Sequence, residues 1–235
     1  TAECSKEAEG LVIAVTVDDI VACPRYSGIT ISGVEVKESP EWLQHRLKAI
    51  GIGPVNNIVD ITNFILHECG QPLHAFDADK IEGGKVVVRK AADGEKFVTL
   101  DSVERTLLGT DLMICNTKKP MCIAGVFGGL ESGITSATTN IFIESAYFDP
   151  SFIRKTGKHH GLKTDASFRY ERGADPTITV YALRRAVQLI REIAGGKITS
   201  DIIDHYPVAQ VPVSIDFSFD YLNRFTGQSI DRDAV

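Results

Sequence analysis

Apolar and polar positions alternate and recur along this chain in a way that divides it into strands and helices. Residues 11–17, Leu-Val-Ile-Ala-Val-Thr-Val, are mostly β-branched and predict a strand. Ile29–Val36 alternates around Ser32-Gly33 and predicts a second. Ser39-Pro40-Glu41-Trp42 has the composition of a helix start, with Ser at the N-cap and Pro at the first helical position. That helix, Pro40–Ile50, stops at Gly51. Asn57–Cys69 carries apolar residues at 58, 61, 64, 65 and 66, which is a helix with a broad buried face. Gly70 supplies its C-cap, and Pro72 prevents continuation.

Further along, residues 85–127 alternate short strands with turns at Ala92-Asp93-Gly94-Glu95 and Leu108-Gly109-Thr110-Asp111. Ile141–Ala146 reads as a short buried strand, Pro150–His160 as a helix, and Pro176–Ala194 as a long helix ended by Gly195-Gly196. Pro207 and Pro212 mark a boundary. After it come a strand, Val213–Phe217, and a helix, Phe219–Thr226, stopped by Gly227. This last unit is too short to bury a core alone. The order of elements predicts an α+β fold, with mixed and antiparallel sheets flanked by helices, plus the truncated start of a further α/β domain.

Composition narrows the function classes. The chain has 235 residues, 43% hydrophobic and 24% charged, ordinary for a globular protein. A net charge of −6 argues against broad nonspecific nucleic-acid binding. A local basic run does exist: Lys155, Lys158, His159, His160, Lys163, Arg169 and Arg172. A solvated face and a phosphate-contacting surface are level readings of it. The five cysteines are odd in number and form no CxxC pair, so free thiols are expected rather than a disulfide framework or a zinc site. No apolar run approaches the roughly 20 residues needed to span a bilayer. The first residue is Thr1, and the chain reads as cut from a longer protein.

Candidate chemistry gathers in three stretches. Thr62 and Asn63 sit in a helix that breaks at Gly70-Gln71-Pro72, and His74 follows the break on what reads as a loop. Glu144 lies within an apolar strand, where a carboxylate needs a partner; Arg169 or Arg172 would supply a structural one. Lys163 through Gly173 is the third stretch. No phosphate-binding loop is present, and Ser145 and Ser167 lack a nucleophile-elbow context. His67 precedes His74 by a helix end, so the two are not expected to share a metal.

Several blocks resemble the B3/B4 region of the bacterial phenylalanyl-tRNA synthetase beta subunit. They are Cys23-Pro24-Arg25-Tyr26, Ser39 to Leu43, Val59 to Asn63, Gly70 to Asp77, Ala124 to Gly129, Glu144-Ser145-Ala146, and Thr164 to Gly173. The resemblance implies a leading segment at 1–15, a B3/B4 editing domain at 16–206, and a linker with the truncated start of the B5 domain at 207–235. It implies an aminoacyl-tRNA hydrolase that clears mischarged Tyr-tRNA(Phe) with a positioned water, and no aminoacylation by this piece alone. The alternatives kept open are a noncatalytic module that binds and scaffolds tRNA, and a pocket that senses free amino acid.

By the same resemblance, His74, Thr62 and Asn63 lie at the scissile ester. Glu144 accepts the tyrosyl hydroxyl, and Pro72, Gly128, Gly129, Thr164 and Ala166 shape the pocket. Implied partners are the synthetase alpha subunit, in an alpha2beta2 heterotetramer, the 3′ end of tRNA(Phe), and the tyrosine moiety. No metal and no cofactor are expected in this piece; ATP and Mg2+ belong to the full synthetase. A cytoplasmic location follows. The chain departs from the family pattern at Leu73 and Phe127, where Met is frequent, and at Phe168, where a polar residue is frequent.

Overall fold

The computed structural model describes residues 4–211 and 213–235. Its centre is a five-stranded sheet in which four strands follow the order β11-β2-β10-β3: β2 is Arg25–Val34, β3 Leu73–Asp77, β10 Asn140–Tyr147 and β11 Gly195–Ile198. A short strand, β12 (Ile203–His205), also pairs with β2. Strand β10 is antiparallel to both of its neighbours, which buries it between β2 and β3.

Period-two alternation then assigns every side chain a face. Ile29, Ile31, Ile141, Ile143 and Ala75 point to one side and pack with α1 (Glu41–Ala49), α2 (Asn57–Cys69) and α5 (Thr179–Ile193). Tyr26, Phe76, Phe142 and Ala146 point to the other side. There they meet a second sheet, in the order β1-β4-β7-β8-β9. Its strands are β1 (Ala14–Val17), β4 (Lys85–Lys90), β7 (Leu112–Cys115), β8 (Pro120–Ile123) and β9 (Phe127–Gly128). All its pairings are antiparallel except β1 with β4. A hairpin of β5 (Lys96–Val98) and β6 (Glu104–Thr106) stands beside it, and α3 (Pro150–His160) and α4 (Asp165–Tyr170) close the end. The architecture is α+β with mixed and antiparallel sheets and, among the described residues, six α-helices.

Local chemistry explains most element ends. Asn56 caps α2 by accepting from the amides of Ile58 and Val59, and Gly70 ends the helix at φ +73°. Asp149 caps α3 in the same manner. The turns at 92–95 and 108–111 each close with a hydrogen bond between their end residues. Ahead of β1, Ile13 is fully buried and the amide of Glu7 bonds the carbonyl of Ile198.

Four expectations are corrected. His74 is not on a loop; it is the second residue of β3. Ser39 does not cap α1. Pro40 takes that place, because the buried Asp60 carboxylate claims the Ser39 hydroxyl at 2.5 Å and the amide of Val55 at 2.8 Å. The long helix begins at Thr179 rather than Pro176, whose carbonyl is held by the Arg25 guanidinium at 2.7 Å. Residues 213–217 form no strand. Their alternation is strand-like, but no ladder partner lies beside them among the described residues, and Val213 and Ile215 are more than four-fifths exposed. The helix after them, α6 (Phe219–Thr226), forms with Gly227 as its C-cap.

Gly28 shows how tightly the middle layer is packed. A Cβ placed there would sit 2.2 Å from the ring of fully buried Phe142. Gly28→Ala is therefore expected to cost about 1–3 kcal/mol, the usual scale for overpacking a core, which equilibrium chemical denaturation will read directly.

Candidate active site

The register of β3 on β10 puts His74 opposite Glu144. Opposed residues of an antiparallel pair share a face, with Cβ atoms about 4.5–5.5 Å apart. That face is the one turned toward the second sheet. Between the two lies a cavity of about 530 Å³, lined by Thr62, Asn63, Pro72, His74, Gly128, Glu144, Thr164 and Ala166 among others. Eight of the nine residues singled out from the sequence thus meet at one cavity. The exception is Gly129, which faces a second cavity of about 490 Å³ on the far side of β9. A Cβ on Gly129 would meet Met121 and Phe97, which line that second cavity, whereas one on Gly128 would meet Leu100 and His74.

Each side chain arrives for a local reason. Glu144 is 5% exposed, and its Oε2 accepts the hydroxyl of Tyr26 at 2.7 Å. Neither Arg169 nor Arg172 reaches it; the Arg172 guanidinium instead covers the Phe168 ring at 3.6 Å. Oε1 of Glu144 carries no hydrogen bond among the described residues. Burial pushes the Glu144 carboxyl up to about 7, against which the Tyr26 hydroxyl acts in the lowering direction.

His74 packs edge-on against Phe76, with ring centroids 4.4 Å apart, and its buried Nε2 has no hydrogen-bond partner. Burial drives its pKa down to about 4, so the ring is neutral at pH 7. Backbone comes close to it: a Cβ on Gly128 would lie 3.4 Å from His74 Cε1 and 2.9 Å from the Leu100 side chain.

Thr62 donates its hydroxyl to the carbonyl of Val59 at 2.7 Å, so its proton is committed to the helix and its lone pairs remain. The Asn63 amide makes no hydrogen bond among the described residues. Thr164 caps α4, accepting from the amide of Ser167, and donates to the carbonyl of Val126 at 2.9 Å. This fixes the loop 124–128 against the start of α4, where Ala166 presents a small side chain. Gln71 anchors the turn between α2 and β3 by donating to the carbonyls of Pro72 and Ala146. Tyr170 does the same from α4, with the Ala146 carbonyl 3.1 Å from its hydroxyl.

Tyr26, Gln71 and Tyr170 were not singled out as site residues. All three stand inside the sequence blocks given above, yet their roles depend on partners remote in sequence. Of the adjacent histidines, His159 is exposed, but His160 turns inward to Asp111 at 2.8 Å. His67 lines a separate depression with Trp42 and Glu68. Lys155, Lys158, Lys163 and Arg172 of the basic run are exposed. Among the described residues no helix is long and apolar enough to cross a membrane.

The chain that folds in this way has relatives among known proteins. The B3/4 domain model matches residues 22–195, and the chain belongs to that family. It is 53% identical over 229 residues to the phenylalanine–tRNA ligase beta subunit of Bacteroides fragilis (strain YCH46), covering 97% of this chain and 28% of that protein. It is 54% identical over 224 residues to the same subunit of Porphyromonas gingivalis, covering 95% and 27%. The chain therefore spans little more than a quarter of the length of these relatives. A crystal structure of an N-terminal fragment of the phenylalanyl-tRNA synthetase beta subunit from Pyrococcus horikoshii shares the fold. Its TM-score is 0.54 at 16% identity, over 99% of this chain and 65% of that one.

The two buried groups titrate with opposite effects on stability. The His74 pKa falls on folding, so the unfolded chain binds more protons between about 4 and the ordinary histidine value of 6.5, and stability rises with pH there. The Glu144 pKa rises on folding, from 4.5 to about 7, so stability falls with pH across that window. In the parent chain the two slopes oppose each other. Glu144→Gln is expected to leave stability rising with pH between 4.5 and 6.5, and His74→Gln to leave it falling. Chemical denaturation at a series of pH values measures both slopes.

Proposed function

We propose that the cavity is a proofreading site that hydrolyses the ester of tyrosine wrongly attached to tRNA(Phe). The observation carrying this reading is the uncommitted Oε1 of Glu144, set beside His74 in a cavity of about 530 Å³. A synthetic pocket that fits phenylalanine cannot strongly reject an isostere with one added hydroxyl; discrimination is on the order of a hundredfold. A second site solves the problem by rewarding that hydroxyl. Oε1 accepts the phenolic proton of tyrosine, whereas a phenylalanyl ring leaves a buried polar oxygen without a partner. The small Ala166 and Gly128, with Pro72, leave space for the ring.

Neutral His74 and the Asn63 side-chain amide, which line the same cavity, orient the carbonyl, the terminal ribose and the attacking water. An imidazole with a pKa near 4 is a weak proton acceptor at neutral pH, so positioning is the role that suits His74. Water oxygen bonds to the carbonyl carbon, the bond to the ribose oxygen breaks, and the water's proton passes to that oxygen by way of the neighbouring ribose hydroxyl. An ester is already activated, and orientation with carbonyl polarisation suffices. The phenylalanine–tRNA ligase alpha subunit is the assembly partner, in an alpha2beta2 enzyme. The exposed lysines of α3 and the following loop meet the tRNA backbone.

Deacylation of Tyr-tRNA(Phe) and Phe-tRNA(Phe) tests the reading. Glu144→Ala is expected to narrow the preference for the tyrosyl ester by about 1–3 kcal/mol, the scale of a lost buried hydrogen bond. Ala166→Trp is expected to stop deacylation while leaving the melting transition in place. Unchanged rates and selectivity in both variants would favour a noncatalytic scaffold for the tRNA.

A further inference from the structure

The block Cys23 to Tyr26 is not used by the reading above, yet it places a group on Glu144. Tyr26 lies on β2, two residues before Gly28, and Gly28 is the β2 residue opposite Glu144. Tyr26 therefore shares the face of Glu144 and reaches it diagonally, a separation that a long aromatic side chain spans. Its ring is fully buried and its hydroxyl lies 2.7 Å from Oε2. The groups facing Glu144 from the other elements are His74 on β3, Cys122 on β8, Tyr170 on α4 and Cys23 ahead of β2; Asp165 stands at the cavity wall. None of them is a cation at neutral pH. Tyr26 supplies the hydrogen bond that this carboxylate receives among the described residues.

We propose that Tyr26 is a positioning residue of the cavity: by donating to Oε2 it turns Oε1 toward the ligand, keeps it an acceptor, and so sets the preference for a para-hydroxyl. This rests on the role given to Glu144 above. The chemistry turns on which oxygen holds a proton. With Oε2 occupied as an acceptor, a proton joining the carboxyl settles on Oε1. Oε1–H is then a donor, and a ligand hydroxyl exchanges a charge-assisted bond to a carboxylate for a weaker neutral one in which it accepts. Tyr26 opposes that protonation, because its bond strengthens with negative charge on the carboxylate. Without it the group is free to rotate and stays protonated to higher pH.

Tyr26→Phe keeps the ring and removes only the hydroxyl, and two measurements on the whole chain separate the possibilities. Carbon-13 NMR of labelled glutamate follows the Glu144 carboxyl without ligand. Calorimetry with tyrosinamide and phenylalaninamide between pH 6 and 9 gives the binding preference. The expected result is a Glu144 midpoint displaced to higher pH. The tyrosine preference should be about tenfold weaker at pH 7, a lost buried hydrogen bond's worth, and should recover toward pH 9. A melting temperature close to the parent's shows that the variant folds. Should it unfold, Tyr26→Trp and the pH profile of the parent, whose tyrosine preference must follow the Glu144 titration, serve instead. A parent preference for tyrosine that Tyr26→Phe leaves unchanged at every pH overturns this proposal alone. Absence of any tyrosine preference in the parent overturns the role of Glu144 and this proposal with it.

Discussion

A carboxylate buried in the middle strand of a sheet, with no cation beside it, is the constraint on which this structure turns. Removing a charge from water costs several kcal/mol unless hydrogen bonds compensate. Here one phenol compensates in part, and the remainder appears as a carboxyl held up near 7. Burial of Glu144 is forced by the topology: β10 has a strand on each side, a helical layer on one face and a second sheet on the other. Such a group contributes little to stability. Its presence, together with a neutral imidazole whose Nε2 is unpartnered, is what singles out this cavity as the candidate site.

Much of the scaffold was legible in the sequence because its causes are local. The bounds of α2 and α3 follow from caps at Asn56, Gly70, Asp149 and Gly161 and from helical periodicity. Both four-residue turns were readable from Gly and Asp at their required positions. The failures share another cause. Strand β3 is five residues long, enclosed by a proline and an Asx-type turn, and exists because β10 lies alongside. Ser39 has the right residue type for a cap, but Asp60, twenty-one positions on, is the stronger acceptor. Residues 213–217 have strand periodicity and lack a neighbour. Composition records what a segment can do; the partner decides what it does.

The candidate site divides in the same way. Polar residues in apolar surroundings, such as Glu144 in Ile-Phe-Ile-Glu-Ser-Ala, announce themselves. The family resemblance brought in the wall residues, and eight of the nine meet at one cavity. Gly129 came along because its neighbour belonged, but it follows the end of β9 and faces Met121 and Phe97 of the other cavity. Tyr26 was the opposite case: it reads as one more core aromatic, since nothing in a linear chain reveals that its oxygen ends 2.7 Å from Glu144.

The pairing of His74 with Glu144 has a consequence for the durability of the site. The distance between the two is fixed by the backbone ladder of β3 and β10, not by attraction between the side chains. As acidity changes, the imidazole and the carboxyl pass through three combinations of charge, but their attachment points stay put. A pair clamped by main-chain bonds keeps its spacing while its charge is rewritten.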